Sequence, residues 1–214
     1  MTELFEAIHS QRAIRRFTDE PVTDDEVHKV LDAATRAPSA SNTQPWSFVV
    51  VRDPERRRQL AELYAKSWDI AKHFYGEPEK AEDDWERRML VAVNKLAATL
   101  ETAPVLILAC LDRARLGPLV TTDLVTLLDP PSAYGAIWAS VQNLLLAARG
   151  LGLGTVPTTL HRLHEPQVRA MFELPDTVEP MVLVVMGRPA APFGPTSRDP
   201  VEQVTYRERW GDPL

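Results

Sequence analysis

Residues 36–51 read RAPSASNTQPWSFVVV. A helix arriving from upstream should end at Ala37-Pro38, because the residue before a proline is pushed out of the helical region. A valine-rich strand should start near Trp46. Between them Ser39, Ala40, Ser41, Asn42, Thr43 and Gln44 are all small or amide-bearing, with Pro38 and Pro45 at the two ends. A plain connector in a compact domain is usually shorter and richer in glycine. The composition suits a loop that must come close to something and hydrogen-bond to it.

Working outward, TDDEVHKVLDAATRA carries the capping-box pair Thr23 and Glu26, then apolar residues at Val27, Val30, Leu31 and Ala34. It reads as a helix. Before it, Leu4, Phe5 and Ile8 follow helical spacing, with Thr2 as N-cap. Downstream, WSFVVVRD reads as a buried strand, and Asp53-Pro54 caps a charged helix to about residue 72. The hydrophilic stretch GEPEKAEDDWERR reads as a solvated loop and helix start. APVLILACLD is a second buried strand, and EPMVLVVMG is a third. Between those two, SAYGAIWASVQNLLLAARGLGLG is apolar on nearly every face. That predicts a central helix, ended by Gly150 and Gly152. EPQVRAMFELP is a short helix with proline near its first turn. The order is that of an α+β fold, one sheet wrapped by helices, with no repeat and no domain boundary across residues 1–214. The proline-rich end, from about residue 188, has no core of its own, and a partner subunit is the surface it is expected to pack on.

The chain of 214 residues, 44% hydrophobic and 25% charged, has an ordinary globular composition. Its formal charge of −6 argues against general nucleic-acid binding, while leaving room for a local basic pocket. The acidic N-terminus lacks the pattern of a signal peptide, and no apolar run is long enough to cross a bilayer. A cytoplasmic protein is expected. Cys110, the single cysteine, sits in an apolar strand and reads as an inert core thiol rather than a nucleophile.

GxSxG, Walker, HExxH and CxxC signatures are absent. His161 and His164 lie one helical turn apart without an evident third ligand, so they read as surface or helix-cap histidines, not a metal site. GLGLG follows a helix, whereas a dinucleotide fingerprint follows a strand. SQRAIRRF is sharper. Arg12 and Arg15 converge on one face if the first helix continues that far, and two guanidiniums make a phosphate site. The competing reading is a solvated basic helix end that complements the helix dipole.

Taken together, RAIRRF and APSASNTQPWSFVVV resemble the N-terminal signature of the FMN-dependent nitroreductase family, the second nearly residue for residue. GLGTVP and TSRDP sit where that family has its remaining flavin contacts. The resemblance implies an α+β nitroreductase-like fold, with a central mixed sheet and a C-terminal tail exchanged in a homodimer. It implies that Arg12 and Ala13 lie in the FMN phosphate and ribityl region, with Arg15 near flavin N1 and O2. A fixed cation there would stabilise the negative charge that reduction places on N1–C2=O. Pro38, Ser39, Ala40 and Asn42 would approach the flavin from the other subunit. Val156, Pro157, Thr158 and Thr159 would line its other side, with the Thr159 N–H donating to N5, and Arg198 would complete the phosphate site. The opening loop then has its reason, since a flat tricyclic ring needs backbone and short polar side chains at close approach. Trp46, starting a strand, is assigned to the core.

Some positions depart from the family pattern. Gln11 stands where many members have another arginine, Ala13 replaces a common serine, Thr196 replaces a frequent lysine, and Leu160 replaces a glycine of some members. The activity implied is reduction of FMN by NAD(P)H, followed by reduction of a nitroaromatic, quinone or similar small-molecule acceptor by ping-pong turnover. No side chain is assigned a catalytic role. The alternatives are a flavin storage or sensing protein, or a relative performing dehalogenation, enone reduction or flavin destruction.

Overall fold

The computed structural model describes residues 2–116 and 123–214, and only the backbone for residues 123–132. Four strands form one sheet in the order β1-β2-β4-β3: β1 Trp46–Val51, β2 Val105–Asp112, β3 Gly154–Thr158 and β4 Val178–Gly187. A mixed sheet is expected from the resemblance. The strands instead pair antiparallel throughout, and the parallel component is a single bridge between Ala13 and Thr155. Helices α1 Leu4–Ser10, α2 Asp24–Thr35, α3 Pro54–Tyr75, α4 Asp84–Thr99, α5 Asp123–Gly150 and α6 Glu165–Met171 surround it.

Both central strands are apolar along most of their length, Val105–Leu111 in β2 and Pro180–Gly187 in β4, because both faces of the sheet are covered. Val105, Ile107, Ala109 and Leu111 of β2 and Val182, Val184 and Met186 of β4 face one cluster. There they meet Val27, Val30 and Ala34 of α2 and Ile137, Val141 and Leu144 of α5. The alternate residues Leu106, Leu108, Cys110, Leu183 and Val185 face a second cluster with Leu60 and Tyr64 of α3 and Leu96 of α4. Each fully buried aliphatic side chain here contributes about 1.5–3 kcal/mol by leaving water. Trp46 is in the first cluster, as its place at a strand start suggests. Cys110 is buried in the second, and burial pushes its thiol up to about 12, so it stays protonated and inert.

The Thr23–Glu26 capping box forms in full, and Asp53 caps α3, which runs to Tyr75 rather than ending near residue 72. Gly152, at φ +77°, turns the chain out of α5, whose last carbonyls accept from Gly152 and Leu153.

Other expectations need correction. Thr2 does not cap α1; Glu3 holds that position without a side-chain bond, and Thr2 Oγ1 instead accepts from Arg149. β1 is an edge strand and only half-buried along most of its length, because just one neighbour pairs with it. The short strand β3 is not foreseen at all. His161 is neither a surface nor a cap residue. It is fully buried, with Nε2 3.1 Å from the Pro180 carbonyl, and burial holds its pKa down to about 4. No metal-binding group of His, Cys, Asp and Glu occurs among the described residues. No helix among them is long and apolar enough to cross a membrane.

Candidate functional site

The first helix does not carry Arg12 and Arg15. α1 stops at Ser10, and residues 11–17 run extended. The helical convergence of the two arginines is therefore replaced by another arrangement. Ile14 N–H donates to the Thr155 carbonyl at 2.8 Å, and Ala13 bridges Thr155 in parallel, so this segment lies along the free edge of β3. Gly154 is what permits the approach, since a Cβ there would stand 2.7 Å from Ile14 Cγ2 and 2.9 Å from Ile14 Cβ. Ser10 and Glu6 are held in turn by Arg149 at the end of α5, whose guanidinium also lies 4.2 Å from the Phe193 ring centre. Thr196 donates from both its N–H and its hydroxyl to the His9 carbonyl, at 2.9 and 3.1 Å. The beginning of the tail is thus docked on this chain's own N-terminal segment.

This arrangement gathers Arg12, Ala13 and Arg15 with Val156, Pro157, Thr158 and Thr159. Val156 spends its side chain in the core, leaving Pro157 and Thr158 half-buried and Thr159 exposed at the rim. The guanidiniums of Arg12 and Arg15 make no hydrogen bond or ion pair among the described residues, and Arg15 Nε is buried without a partner. Burial lowers the Arg15 pKa, the neighbouring Tyr64 opposes that shift, and Arg12 adds to it. Two neighbouring cations, one partly desolvated and neither paired with a carboxylate among the described residues, suit an anionic ligand. That fits the phosphate and reduced-ring charge of FMN. Tyr64, which the sequence analysis does not single out, is buried in the second core cluster together with Val156, and burial raises its pKa. Its helical spacing signals that burial.

Pro38, Ser39, Ala40 and Asn42 lie elsewhere. Their loop forms a short 3-10 turn, Ala40–Asn42, in which Ser41 and Asn42 have φ of 51° and 54°, followed by Gln44 at 48°. These are left-handed positions occupied without glycine, an arrangement held by specific bonds. Ser39 Oγ accepts from Gln44 N–H at 3.0 Å, and the Asp112 N–H ties the neighbouring Pro45 carbonyl to the end of β2 at 2.7 Å. The loop feeds β1 at one edge of the sheet, while Thr155–Thr159 occupy the other. Three strand spacings separate those edges, about 14 Å. Trp46 pairs with Leu111, whereas Thr155 stands across from Met186, which faces Val105 at the opposite end of β2. Arg198 is exposed on the tail two residues beyond Thr196, with Nη1 donating to the Ser197 carbonyl at 2.6 Å.

The chain is similar to known proteins in sequence and fold. The sequence profile of the Nitroreductase family matches residues 8–188. The chain is 32% identical over 224 residues to the NADH dehydrogenase of Thermus thermophilus, covering 91% of this chain and 90% of that protein. It is 28% identical over 222 residues to the NAD(P)H-using FMN reductase of Bacillus subtilis, covering 98% of this chain and 75% of that one. Among solved structures, the NADPH:FMN oxidoreductase of Vibrio harveyi complexed with NAD+ superimposes with a TM-score of 0.72. Its identity is 26%, with 98% of this chain and 78% of that one covered.

Proposed function

The chain belongs to the nitroreductase family, an NAD(P)H-dependent oxidoreductase working with FMN, and from that premise we propose a ping-pong reductase with a site shared between two subunits. FMN, when bound, would supply the redox chemistry between NAD(P)H and a nitroaromatic, quinone or similar acceptor. Arg12 binds the phosphate end. Arg15 would hold the pyrimidine edge, its cation favouring the charge gained on reduction. The Thr159 N–H, at the rim of β3, is the donor on the N5 side. Short side chains at Ser39, Ala40 and Asn42 leave a slot open to a flat acceptor. No side chain of this set serves as an acid or base, so protons come from water.

One observation carries the shared site: the two halves of the flavin signature stand at opposite edges of one sheet. A ligand touching both halves needs the Pro38–Asn42 loop of a second copy, and a homodimer with two-fold symmetry provides it twice. Apolar surface supports this reading. Leu4 and Phe5 of α1 are 64% and 72% exposed, and Val204 and Trp210 of the tail are 69% and 89% exposed. A partner would bury them, and the tail beyond Thr196 would bring Arg198 to the partner's phosphate site.

The test is a visible spectrum of the purified protein before and after anaerobic NADH or NADPH, then with a quinone or nitro compound. A flavin spectrum that bleaches and recovers establishes turnover. A flavin that stays oxidised indicates a storage or sensing role, and a protein that takes up no FMN removes the cofactor.

A further inference from the structure

Arg149, in the last turn of α5, is buried at 9% exposure. A cation at a helix C-terminus complements the dipole equally well from solvent, so that position alone does not ask for burial. Burying a guanidinium is costly unless its donors are used, and here all three nitrogens have partners. Nε donates to Ser10 Oγ at 2.9 Å, Nη1 to Thr2 Oγ1 at 3.2 Å and Nη2 to Glu6 Oε1 at 3.2 Å. Its Cζ stands 4.2 Å from the centre of the Phe193 ring, which uses the flat face as well. One side chain therefore grips the N-terminal segment and the tail at once.

Both grips lie beside Arg12. Ser10 is the last residue of α1, and its hydroxyl also donates to the Glu6 carbonyl, so the point where the chain leaves the helix is fixed two residues before Arg12. Phe193 precedes Gly194, where an added Cβ would stand 3.6 Å from Arg12 Nη1, so the tail passes against the Arg12 head. Thr196, bonded to the His9 carbonyl, ties down the tail two residues further on. Glu6 balances the charge of Arg149, which leaves geometry as the means by which Arg149 acts on its neighbour.

We propose that Arg149 is a positioning residue for the phosphate end of the flavin site, fixing the Arg12 segment and the start of the tail against each other so that the Arg12 guanidinium is preset for its anion. This rests on the flavin reading given above. A lysine would not serve, because one ammonium cannot supply the planar fork and stack on the ring together.

The experiment compares the dissociation constants of FMN and riboflavin, which differ only by the phosphate, through flavin fluorescence in Arg149→Met. That variant keeps an apolar stem and removes the head. FMN should bind about tenfold more weakly while riboflavin stays within about twofold of the parent, so the preference for FMN falls about tenfold. In an Arg12→Ala background the same substitution should lower the preference no further, because Arg149 acts through Arg12. Phe193→Leu, which removes the ring beneath the guanidinium, should lower the preference in the same direction, and it decides the matter if Arg149→Met folds poorly. An equal loss for both flavins, an unchanged preference, or a further fall with Arg12 already absent overturns the positioning role while leaving the flavin reading standing. Parent protein that binds no FMN overturns both.

Discussion

Strand β4 buries every residue from Pro180 to Gly187 and pairs on both sides, while the segment at residues 11–17 lies on a sheet edge with two guanidiniums unmatched. The loop from Pro38 to Gln44 is a second contrast, with three non-glycine residues at positive φ and most of its side chains in solvent. The central strands satisfy local propensity, alternation and hydrogen bonding together. The two edge regions violate one or another of these and are held by neighbours: Arg149 and Thr196 for the first, Ser39 and Asp112 for the second. Such violations cluster where a ligand is to supply the missing partner.

The contrast can be broken at four places. Leu183→Ala, at the fully buried centre of β4, should destabilise the fold by about 2–5 kcal/mol in a denaturant titration. A loss comparable to a surface substitution would mean the centre is not the stabilising element. His161 should give the next largest effect. Its folded pKa of about 4 lies below the ordinary 6.5, so between those values the unfolded chain binds a proton that the folded chain refuses. Its contribution is therefore complete above pH 6.5 and is lost as pH falls toward 4, up to about 3 kcal/mol. Thermal melts across that range should be flatter for His161→Gln than for the parent, and parallel profiles would remove His161 as the cause.

At the edges the expectation reverses, with ligand binding changed more than stability. Arg12→Ala should weaken FMN binding about 10- to 100-fold with an unchanged melting curve, since charged hydrogen bonds contribute about 1.5–3 kcal/mol. Undiminished flavin content would take Arg12 out of the phosphate site. The smallest effect belongs to Ser41→Gly, which relieves a left-handed serine at φ 51° and should raise stability by up to about 1 kcal/mol. FMN affinity should fall with it as the loop loses its preset shape. A loss of stability instead would show that the serine conformation is unstrained.

Much of this was legible in the chain because local and global preferences agree there. The capping box of α2, the apolar runs of β2 and β4 and the apolar body and end of α5 are all written in contiguous residues, whereas the start of α5 at Asp123, ahead of Pro130 and Pro131, was not read. β3 was not, since GTVPT contains a glycine and a proline and reads as a turn. Only its place at the sheet edge makes Pro157 acceptable as a strand residue. The Arg12–Arg15 pair was read on a helix, and its true arrangement comes from the Ala13–Thr155 bridge, a contact between residues far apart in sequence. His161 was misplaced for the same kind of reason. Pro180, at the β2–β4 irregularity, offers its carbonyl to a histidine that nothing nearby in sequence marks as buried. The flavin signature was legible as a motif, but its division between opposite sheet edges was not, because spacing along a chain says nothing of distance across a sheet.

That division is tested most directly by mixing two inactive chains, one Arg12→Ala and one Ser39→Trp, after confirming that neither alone retains FMN. If each site joins Arg12 of one subunit to the Ser39 loop of the other, a heterodimer contains one site with both parts intact. The co-expressed mixture should then regain flavin, at one FMN per heterodimer. A mixture as colourless as its components, with heterodimer formation confirmed by mass, would place both halves of the site within a single chain and contradict the account.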